Sequence, residues 1–187
     1  MESEKQIIEE AKADKTAFVK LYDKYFQQIY RYVLTRVADT ALAEDITSET
    51  FMSALENLDR YTYQGKPFSS WLYRIAINNI TDHYRMQKSE REAAMQKWHE
   101  TEDKFDGAEI EMKEEEARQK KLENIRELNG AFQKLQKSEQ DIISLKYFEN
   151  LSYKEIADIM ETNTSHVGVK LKRALSRLNK LCNYIST

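Results

Sequence analysis

The chain has 187 residues, a formal net charge of −3, and 41% apolar against 33% charged residues. That balance suits one or two small domains with modest cores and excludes a large catalytic domain. Only four Gly and one Pro occur, so both helix breakers are scarce and an all-α fold is expected.

No apolar run reaches the roughly 20 residues that span a bilayer. The N-terminal "MESEKQIIEE" lacks the basic-then-apolar order of a signal peptide, and the lone Cys182 cannot form an intramolecular disulfide. A cytoplasmic protein without membrane insertion is the expectation.

From Phe18 to about Arg85, apolar residues recur three and four apart, as in Phe18, Leu21, Tyr22, Tyr25, Ile29, Tyr32 and Val33. This periodicity predicts a packed helical domain, bounded at residues 1–89. Within it, Leu42, Ile46, Phe51, Ala54, Leu55 and Leu58 form an inward stripe, while Asp45, Ser48, Glu49 and Met52 share the outward face. An outward Met flanked by carboxylates suits a protein interface in which the charges steer and the thioether supplies desolvated contact.

The loop "RYTYQGKPF" mixes Tyr61, Tyr63 and Phe68 with Lys66 and contains Gly65 and the single Pro, a composition able to hold an unstacked base. After it, Phe68, Trp71, Leu72, Ile75 and Ala76 are expected to pack the core, with Arg74, Asn78 and Arg85 on another face. Asn78 is the expected reader there, because an amide both donates to and accepts from a base edge.

Residues 90–117 are read as an acidic linker, since Glu90 to Glu116 holds eleven Asp or Glu against four Lys or Arg and little that could build a core. Helical periodicity resumes in a second domain, residues 118–187, with expected breaks at Asn129-Gly130 and near Ser138 and Asn150. Ser152 and Glu155 form a capping-box pattern that starts a short helix carrying Ile156, Ala157 and Met160 inward. Asn163 or Thr164 caps the next helix, whose apolar stripe is Val167, Leu171, Ala174, Leu175, Leu178 and Leu181.

Helix, tight turn and longer helix make a helix-turn-helix. The face opposite the stripe carries His166, Val169, Lys170, Arg173 and Arg177, and no Asp or Glu follows Glu161. A positive rod in an acidic protein points to DNA, with Val169 placed for a thymine methyl. The three His residues are far apart and without Cys or carboxylates at metal-ligand spacing, and no phosphate loop or nucleophile signature occurs. The expectation is a protein that is not an enzyme, with no catalytic residue, metal or cofactor.

Three stretches carry a resemblance. "LQKSEQDIISLKYFENLSYKEIADIMETNTSHVGVKLKRALSRL" resembles the C-terminal promoter-binding domain of bacterial sigma factors of the extracytoplasmic-function class, matching at Leu151 to Ala157, Val167, Lys170, Arg173 and Ala174. "ALAEDITSETFMSALENLDRY" is similar to the family's polymerase-binding helix. "FSSWLYRIAINNITDHYRMQK" is similar to its helix that melts and reads the minus-ten element, matching at Trp71, Leu72, Arg74, Ile75, Ala76, Asn78, Asp82 and Arg85.

The resemblance implies a transcription initiation factor that partners core RNA polymerase and promoter DNA, is a monomer when free, and admits an anti-sigma factor as a further partner. It implies polymerase docking through Asp45, Ser48, Glu49 and Met52. It implies minus-ten contacts from Tyr61, Tyr63, Lys66, Phe68, Arg74, Asn78 and Arg85, and minus-thirty-five contacts from His166, Val169, Lys170, Arg173 and Arg177. A polymerase-independent helix-turn-helix regulator is the rival reading.

The chain departs from the family pattern in three places. Glu161 stands where the turn usually has Gly, so a differently built turn is expected. Gly168 stands where a basic residue is frequent, which permits close backbone approach to phosphate. Ser48 stands where Gln is common.

Overall fold

The computed structural model describes residues 3–95 and 127–185, the side chains of 87–95 and 183–185 excepted. The acidic run after Met95 lies outside the described residues. Helix α1 (Glu4–Ala13) opens with a capping box, Ser3 Oγ accepting from Gln6 N at 3.3 Å and Gln6 Oε1 from Ser3 N at 2.7 Å. It turns Ile8 and Ala11 inward.

A 3₁₀ turn over Lys15–Phe18 leads into α2 (Val19–Val37), which ends where Ala38 takes a left-handed φ of 54°. Asp39 then caps α3 (Thr40–Asn57), its carboxylate accepting from Leu42 N at 2.9 Å. Helix α4 (Phe68–Met95) completes a bundle in which α2, α3 and α4 each touch the other two. Its stripe of Phe68, Leu72, Ala76 and Ile80 is fully buried, as period 3.6 requires.

Helix α1 lies outside the apolar period read from Phe18 onward, yet it positions the start of α4. Glu4 accepts the backbone N–H of Phe68 at 3.0 Å through Oε2, and through Oε1 it accepts from Lys24 at 3.2 Å and from the Tyr25 hydroxyl. A carboxylate there satisfies an amide donor that has no partner inside the helix.

In the C-terminal half, α5 spans residues 127–133 and runs through Asn129 and Gly130 without a break. Burial of Ala131 and Phe132 outweighs the roughly 1 kcal/mol that a helical Gly costs. The chain turns instead at 134–136, where Gln136 and Glu139 form a capping box for α6 (Lys137–Ile143). Helix α6 continues as a π turn over Ser144–Phe148 and stops at Asn150, whose φ is 53°. Then come α7 (Tyr153–Ile159) and α8 (Thr164–Ile185).

Two separate cores are expected from the sequence. The buried side chains of both halves instead form one continuous cluster, because α2 meets the π turn and α4 meets α7. The joint is polar where it is deepest. Arg36, 1% exposed, donates from Nε to Asp141 Oδ1 at 2.7 Å and also to Gln140 Oε1, and the Tyr32 hydroxyl donates to the same Asp141 oxygen at 2.9 Å. Beside it, Arg31 grips the buried Glu149 through two bonds of 3.1 and 2.9 Å, and the Tyr73 hydroxyl adds a third at 2.9 Å.

These contacts shift the groups that make them. Burial, then the Asp141 charge, pushes the Tyr32 phenol well above its ordinary value. Burial opposes the Arg36 charge, but Asp141 and Tyr32 outweigh it and hold the guanidinium above its usual value. Each buried charge thus has a partner, the condition under which an ion pair survives desolvation.

Candidate nucleic-acid interface

The helix-turn-helix begins at Ser152, whose hydroxyl accepts from Glu155 N at 3.2 Å while Glu155 Oε2 accepts from Ser152 N at 2.8 Å. The Ser152 hydroxyl, donating to Glu155 Oε2 at 2.6 Å, and then the Ser152 backbone N–H hold the Glu155 carboxyl below its ordinary value. Ile156, Ala157 and Ile159 are buried, and Met160 is half-buried.

The turn takes the left-handed backbone that glycine usually supplies, with Glu161 at φ 51°. Thr162 N donates to Ala157 O at 2.9 Å, the six-to-one bond of a Schellman motif. The turn is therefore the usual glycine kind and not the differently built one expected, with Glu161 held in it at a cost of roughly 1–2 kcal/mol. Asn163 caps α8, Oδ1 accepting from His166 N at 2.8 Å.

On α8, Val167, Leu171 and Ala174 are buried against α6 and α7. Val169 is 47% exposed, His166 and Arg173 are exposed, and Lys170 is half-buried on the same side. His166 Nδ1 lies 2.8 Å from Thr162 Oγ1, which fixes the ring over the turn. Arg177 stands apart from this group: its guanidinium reaches Glu139 at 3.2 Å, so it braces α8 on α6. Gly168 faces the Tyr153 ring, where an added Cβ would meet Cε2 at an ordinary 3.5 Å.

In the N-terminal half, Asp45, Ser48, Glu49 and Met52 are all exposed on α3, with Met52 at 63%. The Ser48 hydroxyl donates to Glu44 O at 2.9 Å and so turns toward its own helix.

The loop before α4 turns at Gly65, φ 73°, and encloses a pocket of about 240 Å³ lined by Tyr61, Gln64, Lys66, Trp71 and Arg74. Tyr61 stands 4.6 Å from Trp71, centroid to centroid, and edge-on to Phe68 at 5.2 Å. Two sequence expectations change here. Phe68 is fully buried, so it supports Tyr61 from beneath and offers no face to a base. Trp71, expected in the core, is half-buried and opens onto the pocket.

Tyr63 is half-buried, Asn78 is exposed, and Arg85 is exposed beside Asp82 at 3.2 Å. A wider cleft of about 620 Å³ lies over Trp71, Arg74 and Asn78, with Ile159, Met160 and Glu161 as its far wall. An aromatic platform of Tyr61 and Trp71 with the cations Lys66 and Arg74 beside it thus lies on this side of α4.

Sequence periodicity did not reveal an apolar groove of about 620 Å³ between α2 and the C-terminal half, lined by Leu34, Leu128, Phe132, Tyr147, Phe148 and Leu178. The adjacent aromatics Tyr147 and Phe148, exposed at the end of the π turn, are the signal that could have disclosed it.

Residues 21–90 match the family profile Sigma-70 region 2, and residues 125–178 match Sigma-70, region 4. The chain belongs to the sigma-70 family, in its extracytoplasmic-function (ECF) class. It is 34% identical over 177 residues to the ECF RNA polymerase sigma factor BldN of Streptomyces coelicolor, covering 94% of this chain and 64% of that protein. It is 27% identical over 164 residues to the ECF RNA polymerase sigma factor SigM of Bacillus subtilis, covering 88% of this chain and 94% of SigM.

Two solved structures share the fold. CnrH in complex with the cytosolic domain of CnrY aligns at TM-score 0.65 and 20% identity, covering 95% of this chain and 96% of that one. RpoE in complex with the anti-sigma factor NepR, from Bartonella quintana, aligns at 0.64 and 17%, covering 89% and 96%.

Proposed function

We propose that the chain is a transcription initiation factor that binds core RNA polymerase and directs it to promoters. Catalysis would belong to the polymerase, and the protein would act in the cytoplasm, as a monomer when free. The exposed face of α3, Asp45, Ser48, Glu49 and Met52, docks on a basic element of the polymerase. The pocket of Tyr61, Lys66 and Trp71, with Tyr63 in the same loop and Arg74, Asn78 and Arg85 along α4, holds the minus-ten strand. His166, Val169, Lys170 and Arg173 of α8 read the minus-thirty-five duplex in the major groove, and Arg177 orients that helix.

Residues 1–89 and 118–187 are the two working units, with 90–117 as the tether. Because RpoE, of the same fold, was solved with the anti-sigma factor NepR, a protein of that kind is a further proposed partner.

The observation that carries this reading is the chain order of three differently built surfaces. An acidic face with an exposed Met comes first, an aromatic and cationic pocket second, and a basic helix-turn-helix third. A polymerase-independent regulator needs only the last. The test is reconstitution with purified bacterial core polymerase, followed by gel filtration and by sequencing the transcripts made from genomic DNA. Co-elution with discrete start sites is expected. Specific duplex binding without any polymerase association would overturn the reading in favour of a regulator.

A further inference from the structure

The stretch from Leu151 to Leu178 changes sign at residue 162, acidic before and basic after. Apart from Lys154 on α7, the basic side chains are carried by α8. Two of the three acidic ones, Asp158 and Glu161, do not simply face solvent, because the fold sets them against cations of the N-terminal half. Asp158 Oδ1 lies 2.8 Å from Lys66 Nζ, and Glu161 forms an ion pair with Arg74. Both cations line the pocket beside Tyr61 and Trp71, and Asp158 stands on its rim. Ile159, Met160 and Glu161 then wall the cleft above Asn78.

We propose that in the free chain α7 closes the strand-binding face of α4, its carboxylates occupying the positions that DNA phosphates take when the strand is bound. This inference rests on the reading of α4 as the strand-binding element. Glu161 supports it independently. A side chain held in left-handed backbone at the turn, where glycine would be unstrained, is the one that reaches Arg74.

The two outer ion pairs are solvent-exposed and weak by themselves. Closure is secured deeper, where Asp141 holds Arg36 and Tyr32, and where Glu149 holds Arg31 and Tyr73. All five bonds join the N-terminal bundle to α6 and to Glu149 at the end of the π turn, so α7 cannot leave α4 while they persist. Opening requires these buried pairs to hydrate. The same helix-turn-helix that offers α8 to duplex DNA thereby withholds α4 from the single strand until the halves separate.

The experiment uses the full chain and a fluorescein-labelled pool of single-stranded 12-nucleotide DNA of mixed sequence, followed by anisotropy. Asp141→Asn removes the charge that holds one of the two deep clasps, and its folding is checked by circular dichroism. Asp158→Asn with Glu161→Gln removes only the outer pairs, leaves the core untouched and decides the question if the first variant fails to fold.

Asp141→Asn should bind the pool about tenfold more tightly than the unaltered chain, since a buried charge stripped of its partner drives the halves apart. The outer double variant should gain about threefold from the loss of two competing carboxylates. Adding Arg74→Ala should cancel either gain. Glu44→Gln with Glu56→Gln, the same charge change at exposed positions of α3, should gain nothing.

Equal affinities throughout, a gain that survives Arg74→Ala, or an equal gain in the α3 control would overturn the closed form. Gel filtration with core polymerase separates the two claims. Failure of the unaltered chain to co-elute rejects the initiation-factor reading, whereas co-elution with no gain in any variant rejects closure alone.

Discussion

Met52 offers a direct test of the docking face because it does nothing for the fold. Its side chain is 63% exposed on α3, outside the buried cluster that Ile46, Phe51 and Ala54 form on the opposite side of the helix. Fully burying a Met is worth about 1.5–3 kcal/mol, so the exposed two-thirds makes about 1–2 kcal/mol available to a partner that desolvates it. Met52→Ala should therefore weaken core polymerase binding by about 5- to 30-fold.

Ala is the better helix former, so stability should stay within about 0.5 kcal/mol. Asp45 and Glu49 flank the site as rim charges and act chiefly on the association rate. Hence the loss in Met52→Ala should lie in dissociation and be largely insensitive to salt. The assay is an anisotropy titration of the labelled chain with core polymerase at two salt concentrations, alongside a thermal melt. A change under twofold with an unaltered melt would show that α3 does not contact the partner through this face.

On α8, Lys170→Ala or Arg173→Ala should weaken promoter-duplex binding by the holoenzyme by about 1–3 kcal/mol if the lost contact is to a base, measured on matched and scrambled duplexes. Gly168→Ala should stabilise the helix by about 0.5–1 kcal/mol in urea unfolding, because the space beside Tyr153 admits a Cβ. Unchanged duplex affinity in that variant would show that no phosphate backbone approaches there. The buried phenols of Tyr32 and Tyr73 are held above the ordinary 10.0 by burial and by the carboxylates beside them. A raised phenol stabilises the fold fully below 10.0 and progressively less as pH rises past it. The melting temperature should thus fall above that pH, with a shallower slope in Tyr32→Phe with Tyr73→Phe.

Local periodicity made most elements legible. The stripes of α3 and α8, the capping box at Ser152 and the cap read at Asn163 or Thr164 depend on residues within four positions of one another. The box and the Asn163 cap form, and the stripes bury Ile46, Phe51 and Ala54 on α3 and Val167, Leu171 and Ala174 on α8, while their remaining leucines within those helices are half-buried. Three features escaped because their causes are distant in sequence. Glu4 looks like any solvated acid until the fold brings it to Phe68. Gly130 looks like a helix stop until the burial of its neighbours holds α5 together.

Arg36 and Asp141 are 105 positions apart, and each taken alone suggests an exposed charge. In the candidate site, the exposed face of α8 was legible because it stands opposite an apolar stripe. The burial of Phe68 was legible in the α4 stripe, but the opening of Trp71 from that stripe onto the pocket was not, because periodicity does not say how far a face is covered. The acidic edge of α7 was visible only as a change of sign, and its partners Lys66 and Arg74 belong to the other half of the chain.

A joint between two domains can be apolar or polar, and the choice bears on whether it can open. An apolar joint that opens exposes surface costing about 25 cal/mol per Å² and favours reclosure or aggregation. Arg36, Asp141, Arg31 and Glu149 can instead exchange one another for water, so this part of the joint is not penalised in that way when it opens. Replacing a buried pair by hydrophobes of similar size is often neutral or stabilising by about 1–4 kcal/mol, whereas deleting one partner costs about 3–5 kcal/mol.

The variant Arg36→Met with Asp141→Leu and Tyr32→Phe removes the clasp's charges and the hydroxyl that would lose its acceptor. It should unfold at a urea concentration equal to or above that of the unaltered chain. Holoenzyme assembled with it should capture the single-stranded pool less tightly, because the halves now adhere through surface that water does not claim back. If that holoenzyme binds the pool as well as the unaltered one, the polar joint has no role in opening.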